Sequence, residues 1–179
     1  MDDPTSEFEL IQQSLRDRTR FRPLYLKFVQ PVYKYCLTCV GDTAEAEDLT
    51  SQVFLKVMEN LQRYRGSGEF AAWLFAIVRN EVFSHFRKQR RASTQPVEEE
   101  LLGSFLDPAL KEDRQVLAAL LRSISAEERE LIRLRYVSRL RFAVIGQILG
   151  KSEGAARKAH ARLIERLGRE WEAENDIES

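Results

Sequence analysis

The chain has 179 residues, a length that fits one ordinary domain or two small ones. Its 8 Gly and 5 Pro residues are fewer than average usage gives, which argues against a turn-rich all-β fold and favours long helices. The 28 Lys and Arg residues equal the 28 Asp and Glu residues in number, so the total charge gives no sign of nucleic-acid binding.

Two further features bear on the compartment and on metal binding. No apolar run approaches the ~18–20 residues that span a bilayer, and the chain begins Met1-Asp2-Asp3, acidic where a secretory signal is basic. We therefore expect a cytoplasmic protein. Cys36 and Cys39 form an isolated Cys-x-x-Cys, and the only histidines are His85 and His160, so the further ligands of a zinc site are lacking. We interpret both cysteines as buried helix side chains, with a redox pair as the alternative, and expect no metal and no cofactor.

The spacing of apolar residues predicts three helices in the first half of the chain, at 21–40, about 43–63 and about 70–91. The sequence Gly41-Asp42-Thr43 separates the first two, and Thr43 is the predicted N-cap of the second. Apolar residues recur along one face of that second helix, namely Leu49, Val53, Phe54, Val57, Met58 and Leu61. Residues 64–69 are predicted to form a flexible connector.

The second and third of these helices differ in charge. Residues 42–59 contain five acidic residues and one Lys, a net charge of −4 that disfavours DNA and suits a protein partner; a solvated face at a helix N-terminus explains it equally well. Residues 63–91 join aromatic side chains to a basic end, a combination that single-strand binders use. Trp73 is more simply explained as core, whereas Asn80 can either bond base edges or face solvent.

The helical periodicity stops between residues 92 and 113, where Pro96, Pro108 and an acidic run indicate a linker. Beyond the linker, helices are predicted at about 114–122, 126–137, 141–149 and 153–170. Ser125 and Glu128 fit a capping box at the start of the second of these four.

The last two predicted helices, with residues 150–152 between them, have the layout of a helix-turn-helix. Gly150 suits the left-handed residue that ends the first helix, and Ser152 can cap the second. The residues expected to face inward are Ala156, Ala159, Leu163 and Leu167. The residues expected to face outward and meet the major groove are Glu153, Arg157, Lys158, Ala161 and Arg162. Residues 133–169 hold ten Lys and Arg against two Glu, a net charge of +8 that favours phosphate contact, the alternative being a helical hairpin with a solvated charged face.

Several short strings in both halves of the chain form a distinctive set. They are Ala46-Glu47-Asp48-Leu49, Val53-Phe54-Leu55-Lys56, Tyr64-Arg65-Gly66, Ala72-Trp73-Leu74 and Arg79-Asn80 in the first half, and residues 130–136 with the helix-turn-helix in the second. Together they resemble the compact extracytoplasmic-function (ECF) group of bacterial RNA polymerase sigma factors. The resemblance implies an all-α fold of two small helical domains joined by a flexible linker. Sigma region 2 would occupy 1–91, the linker 92–113, and sigma region 4, with the helix-turn-helix, 114–179.

The resemblance also implies roles for individual residues. Polymerase binding falls to Glu47, Asp48, Leu49, Phe54 and Lys56. Recognition and opening of the −10 element falls to Tyr64, Arg65, Phe70, Arg79, Asn80 and Arg87. Reading of the −35 element falls to Arg141, Ser152, Glu153, Arg157, Lys158 and Arg162. The implied partners are core RNA polymerase (β′ clamp and β flap), promoter DNA and, by analogy, an anti-sigma factor, without membrane insertion.

The chain departs from the family pattern at several positions. Ser84 stands where the family often has Asp, and Val144-Ile145-Gly146 stands where Glu-Ile-Ala is usual, so no promoter sequence can be transferred. Two rival functions are a helix-turn-helix regulator that acts without polymerase and an enzyme that acts on nucleic acid with a divalent metal. Since the sequence has no metal-ligand set and no nucleophile–base pair, we expect no enzymatic activity.

Overall fold

The computed structural model describes residues 7–64, 66, 69–92 and 123–175. Every regular element within these residues is helical, which confirms the all-α prediction. The chain divides into two compact units, Met1–Leu37 with Asp42–Pro96, and Thr38–Gly41 with Val97–Ser179. The predicted helix at 114–122 and nearly all of the predicted linker lie outside the described residues, and the domain boundaries stay predictions.

The first unit contains four α-helices, except for the last three residues of the second of them, which are assigned to the other unit. They are α1 (Glu7–Arg16), α2 (Arg22–Val40), α3 (Thr43–Asn60) and α4 (Phe70–Ala92), with short 3-10 turns at Arg18–Phe21 and Leu61–Arg63. The three helices predicted for this part of the chain are confirmed, whereas α1 was not predicted. Its ends carry the charges that favour a helix, since Glu7 and Glu9 lie in the first turn and Arg16 in the last.

The start of α3 differs from the prediction by one residue. Asp42 is the N-cap, because its backbone is extended and its Oδ1 accepts a hydrogen bond from the Glu45 N–H at 2.9 Å. Thr43 is already the first helical residue, so its assignment as the cap was wrong.

The core of the first unit is formed by the apolar faces of α2, α3 and α4. Its most deeply buried members include Leu24, Val32, Leu49, Val53, Val57, Phe70, Leu74, Phe75 and Val78. Cys36 and Cys39 are also buried and are not joined by a disulfide. Burial raises the pKa of the Cys36 thiol to about 11, which agrees with a structural role and disfavours a reactive thiolate.

The second unit contains α5 (Ala126–Ile132), α6 (Phe142–Leu149) and α7 (Glu153–Asn175), and α5 continues into a π-helical turn at Arg133–Val137. The predicted capping box is present, since Ser125 Oγ accepts from the Glu128 N–H at 3.2 Å and Glu128 Oε2 accepts from the Ser125 N–H at 2.8 Å. No helix in the described part of the chain combines the length and apolar composition needed to cross a bilayer.

The turn between α6 and α7 has the predicted helix-turn-helix chemistry. Gly150 ends α6 with a φ of 66°, in the left-handed region that glycine adopts without strain. Ser152 Oγ accepts a hydrogen bond from the Ala155 N–H at 3.1 Å and so caps α7. The turn passes directly over Gly146 of α6, where a Cβ atom would lie 2.7 Å from the Lys151 carbonyl oxygen.

Candidate nucleic-acid and protein interfaces

The exposed face of α3 is acidic with one large apolar side chain. Glu47 and Asp48 are exposed, and neither forms an ion pair within the residues that the structure describes. Leu55, two helical turns after Asp48, is 62% exposed on the same side. Leu55 belongs to one of the strings that carry the family resemblance, but no role was assigned to it from the sequence.

Two of the residues predicted to contact polymerase lie in the core. Leu49 is 1% exposed and Phe54 is 6% exposed, and the Phe54 ring packs edge-on against Tyr25 with 4.7 Å between centroids. Their side chains therefore hold α3 in place and do not form its outer face. Lys56 is exposed, and its Nζ lies 3.1 Å from Glu59 Oε2.

The N-terminal turn of α3 is tied to the C-terminal half of α4. Glu45 Oε2 lies 3.2 Å from His85 Nε2, and the Gln89 side-chain amide donates to the same carboxylate at 3.4 Å. This carboxylate is therefore turned toward α4 and is not part of the acidic face that Glu47 and Asp48 present.

An aromatic cluster lies at the start of α4. The ring centroids of Tyr64, Phe70 and Trp73 are 5.3–5.4 Å apart from one another. Phe70 is buried, whereas Tyr64 and Trp73 are half-buried, so Trp73 belongs to the core on one side and reaches the surface on the other. Burial, followed by the Glu7 and Glu69 carboxylates, raises the pKa of Tyr64, which therefore stays neutral and can donate a hydrogen bond at neutral pH.

An open groove of about 280 Å³ lies between α3 and α4, a size near the lower end of small-ligand sites. Its walls are Lys56, Asn60, Arg63, Trp73, Ile77, Asn80 and Glu81. The groove thus brings an aromatic face, two amides, two cations and a carboxylate together, and it includes the predicted base-reading residue Asn80.

The outer face of α4 carries the other residues predicted to meet the −10 element. Asn80 and Arg87 are exposed and Arg79 is half-buried. Arg65 lies outside the described residues. Phe83 is 69% exposed between these side chains, and the sequence pattern had not singled it out.

In the second unit, α7 presents the predicted outward face. Glu153, Arg157, Lys158, Ala161 and Arg162 are all exposed, as are Ser152 and Arg141. On the opposite side Ala156 and Leu163 are buried, whereas Ala159 and Leu167 are half-buried. The predicted division of α7 into an inner and an outer face is therefore observed, and whether the outer face binds DNA remains a prediction.

Arg157 is held by an ion pair and by a cation–π contact, neither of which the sequence analysis had predicted. Its guanidinium lies 2.7 Å from Glu153 Oε1 and 5.3 Å from the centre of the Phe142 ring. Arg135 lies over the same ring at 4.7 Å. These contacts restrict the rotamers of Arg157, which reduces the entropy that it would lose on binding.

His160 packs against the other side of this cluster. Its ring centroid lies 5.2 Å from that of Phe142, and its Nε2 lies 2.8 Å from the Tyr136 hydroxyl. Burial and, secondarily, the positive charge of Arg135 lower the pKa of His160. The imidazole is therefore neutral near pH 7.

The net charge of +8 counted over residues 133–169 overstates the free positive charge. Acidic residues outside that window pair with its cations: Glu127 with Lys151, Glu128 with Arg166, Glu130 with Arg133 and Glu170 with Arg166. Within the described part of the chain, Arg139, Lys158 and Arg162 are exposed and form no ion pair. The surplus charge is therefore concentrated on the outer face of α7 and at Arg139.

Among the described residues, no group of three or more His, Cys, Asp and Glu side chains is arranged to hold a metal ion.

Comparison with known proteins gives a consistent set of relatives. Residues 24–92 match the Sigma-70 region 2 family. The chain is 30% identical to RNA polymerase sigma factor CarQ of Myxococcus xanthus over 164 residues, which cover 88% of this chain and 92% of CarQ. It is 28% identical to the ECF RNA polymerase sigma factor BldN of Streptomyces coelicolor over 93% of this chain and 66% of BldN. The solved structure of the sigma factor RpoE with the anti-sigma factor NepR from Bartonella quintana matches with a TM-score of 0.62 at 25% identity, covering 85% of this chain and 96% of the matched chain.

Proposed function

Because this chain belongs to the extracytoplasmic-function group of RNA polymerase sigma factors, we propose that it binds core RNA polymerase, reads a −10 and a −35 promoter element and helps to open the duplex. One observation carries this proposal beyond family membership. The first unit presents an acidic outer face on α3 and a polar, cationic outer face on α4, so one compact unit offers separate surfaces for protein and for DNA.

Polymerase binding is assigned to the outer face of α3. Glu47 and Asp48 supply charge that is not neutralised by a neighbouring side chain, and Leu55 supplies apolar area that a protein partner would cover. Leu49 and Phe54 contribute indirectly, because their burial fixes the orientation of α3. We place this face against the β′ clamp and the second unit against the β flap, as the family resemblance implies.

Opening of the −10 element is assigned to the groove between α3 and α4. An unpaired base needs an aromatic or apolar wall and polar groups for its edge, and Trp73 and Asn80 provide these on the same side of α4. Arg63, also at the groove, is suited to the adjacent phosphate.

Reading of the −35 element is assigned to the outer face of α7. Arg157 is suited to base readout, because an arginine can bond guanine bidentately. Lys158 and Arg162 are free to contact phosphates.

Pull-down with purified core polymerase tests the central step. The wild-type chain should be retained, and Asp48→Lys should weaken retention because it replaces an exposed acid on the binding face with a cation. Glu172→Lys is the matched control, with the same charge change on an exposed residue of α7. Failure of the wild type to bind core polymerase would refute the proposal and favour the regulator that acts without polymerase.

Transcription in vitro with core polymerase on a genomic fragment library, followed by start-site mapping, then tests promoter reading. Start sites that require this chain should share two elements upstream. Asn80→Ala should reduce opening without reducing retention by core polymerase, and unchanged opening would remove Asn80 from the assigned residues.

Regulation by an anti-sigma factor is also proposed. The matched RpoE structure contains the anti-sigma factor NepR. An anti-sigma protein that covers the same acidic face would compete with core polymerase, and Asp48→Lys should weaken both interactions.

A further inference from the structure

Phe142, the first residue of α6, lies beside the outer face of α7 without belonging to it. The side chain is half-buried, and its ring is contacted from two other elements. The π-helical turn contributes Arg135, whose guanidinium carbon lies 4.7 Å from the ring centre. Helix α7 contributes Arg157 at 5.3 Å and His160, whose ring centroid lies 5.2 Å away.

Two of these three neighbours are themselves tied to the second unit. Arg135 Nη1 donates a hydrogen bond to the Leu140 carbonyl at 3.0 Å, and His160 Nε2 lies 2.8 Å from the Tyr136 hydroxyl. Both of them are half-buried, whereas Arg157 is exposed. The ring therefore has a defined position in the fold, and Arg157 rests against it at the surface.

The ring holds Arg157 without occupying its hydrogen-bonding groups. A guanidinium has five N–H donors, and Glu153 Oε1 accepts one of them, from Nη2 at 2.7 Å. The ring attracts the cation through its π system and contains no conventional acceptor atom. Arg157 thus keeps donors for the N7 and O6 atoms of a guanine while it stays against Phe142.

We propose that Phe142 is a positioning residue for sequence discrimination, which acts through Arg157 and not by contact with the DNA. This inference rests on the proposed reading of the −35 element and adds to it a residue outside the face that meets the DNA. Bonding a base edge orders a long side chain, and a side chain that a ring already holds loses less freedom in that step.

The effect should fall on specificity and not on affinity for DNA in general. Base-edge hydrogen bonds carry sequence information, whereas phosphate contacts act on every sequence. On a duplex without the guanine, Arg157 has no bidentate partner to be ordered against, so its contact with Phe142 gives no advantage there. A purely structural role of Phe142 would instead weaken binding to both duplexes alike.

The test measures the affinity of the full chain, assembled with core polymerase, for two duplexes. One contains the −35 element obtained from start-site mapping, and the other replaces the guanine–cytosine pair whose discrimination is lost in Arg157→Ala. Phe142→Leu removes the π face and keeps apolar area, whereas Phe142→Tyr keeps the ring. Lys158→Ala is the comparison for a phosphate contact. Thermal unfolding and affinity for the second duplex show whether each variant is folded.

Phe142→Leu should lower the ratio of the two affinities about 2- to 12-fold, the cost of ordering one long side chain, and Phe142→Tyr should preserve it. Arg157→Ala should lower the ratio about 5- to 150-fold. Adding Phe142→Leu to Arg157→Ala should lower it no further, because Phe142 acts through Arg157. Lys158→Ala should weaken binding to both duplexes and leave the ratio unchanged.

Four outcomes would overturn the inference. They are an unchanged ratio in Phe142→Leu, an equal loss in Phe142→Tyr, a further loss in the double variant, and equally weakened binding of Phe142→Leu to both duplexes. Each of them leaves the proposed function intact as long as Arg157→Ala loses discrimination at one guanine. If no guanine of the −35 element depends on Arg157, the proposed role of Arg157 fails, and that of Phe142 fails with it.

Discussion

The close approach of the α6–α7 turn to Gly146 makes the helix-turn-helix sensitive to one methyl group. A Cβ atom at residue 146 would lie 2.7 Å from the Lys151 carbonyl oxygen, 3.1 Å from the Ser152 carbonyl carbon and 3.2 Å from the Glu153 nitrogen. All three are backbone atoms of the turn, so no flexible side chain can move aside. Gly146→Ala should therefore displace the turn that positions α7.

The magnitude follows from two opposing terms. Replacing a mid-helix Gly with Ala favours the helix by about 0.8–1 kcal/mol. Overpacking a methyl group into a filled site costs about 1–3 kcal/mol. Gly146→Ala should thus change the free energy of unfolding of the second unit by about 0–2 kcal/mol, in the destabilising direction.

Gly168 is the matched control, because it lies in the interior of α7 and a Cβ added there meets no atom within 4 Å. Gly168→Ala should stabilise the second unit by about 0.5–1 kcal/mol. The difference between the two variants isolates the steric cost, about 1–3 kcal/mol, since the helix term cancels.

The assay is urea unfolding of the full chain in a Trp73→Phe background, where Trp171 on α7 is the remaining tryptophan and its fluorescence reports the second unit. Two variants with the same m-value can be compared by their midpoints. Equal stabilisation by Gly146→Ala and Gly168→Ala would refute the reasoning, because the turn would then have room for the methyl group.

Three further predictions address capping, charge and pH. Asp42→Ala should destabilise the first unit by about 0.5–2 kcal/mol in thermal unfolding, whereas Thr43→Ala should have little effect; the reverse order would restore Thr43 as the cap. Lys158→Ala should reduce the slope of log K for DNA binding against log salt concentration by about 1. Arg166→Ala should leave this slope nearly unchanged, because the Arg166 guanidinium is paired with Glu128 and Glu170. Equal slopes for the two variants would show that these ion pairs do not persist. Because the pKa of His160 is lowered in the folded state, the unfolded chain binds a proton at this imidazole more readily, and the second unit should lose stability as the pH falls below about 6.5. His160→Gln should reduce that loss when unfolding curves at pH 5 and pH 7.5 are compared. The same pH dependence in the wild type and in His160→Gln would exclude His160 as its cause.

Local chemistry made most of the fold predictable. Helical spacing located α2, α3, α4, α6 and α7, and the capping box at Ser125 and the left-handed Gly150 are both present. Each of these signals depends on residues within a few positions of one another. The N-cap of α3 was displaced by one residue because Asp42 and Thr43 both have suitable side chains, and only the backbone angles distinguish them.

The candidate sites were predictable in composition but not in contacts. Exposed acids on α3 and exposed cations on α7 follow from helical periodicity. The burial of Leu49 and Phe54 depends on which stripe of α3 faces α2 and α4. Glu127 pairs with Lys151, 24 positions away, and Glu128 pairs with Arg166, 38 positions away. Because these partners are far apart in the sequence, counting charges over one segment of the chain could not reveal the ion pairs.

The departure from the family pattern at Gly146 has a structural explanation that the sequence does not show. Glycine is tolerated inside an α-helix at a cost, and nothing in the neighbouring sequence indicates why α6 carries one. The structure shows the turn backbone crossing this position, with the Lys151 N–H donating to the Gly146 carbonyl at 2.8 Å.

The zero net charge of the chain is compatible with two charged surfaces because the fold keeps them apart. The acids of α3 and the cations of α4 are on packed helices and would pair if they faced each other. Instead, the apolar faces meet, and Glu45 contacts α4 through His85 and Gln89. Glu47, Asp48 and Arg87 stay exposed and unpaired within the described residues, so their charges are available to partners of opposite sign. A neutral total charge is therefore compatible with two separated charged surfaces and does not argue against DNA binding.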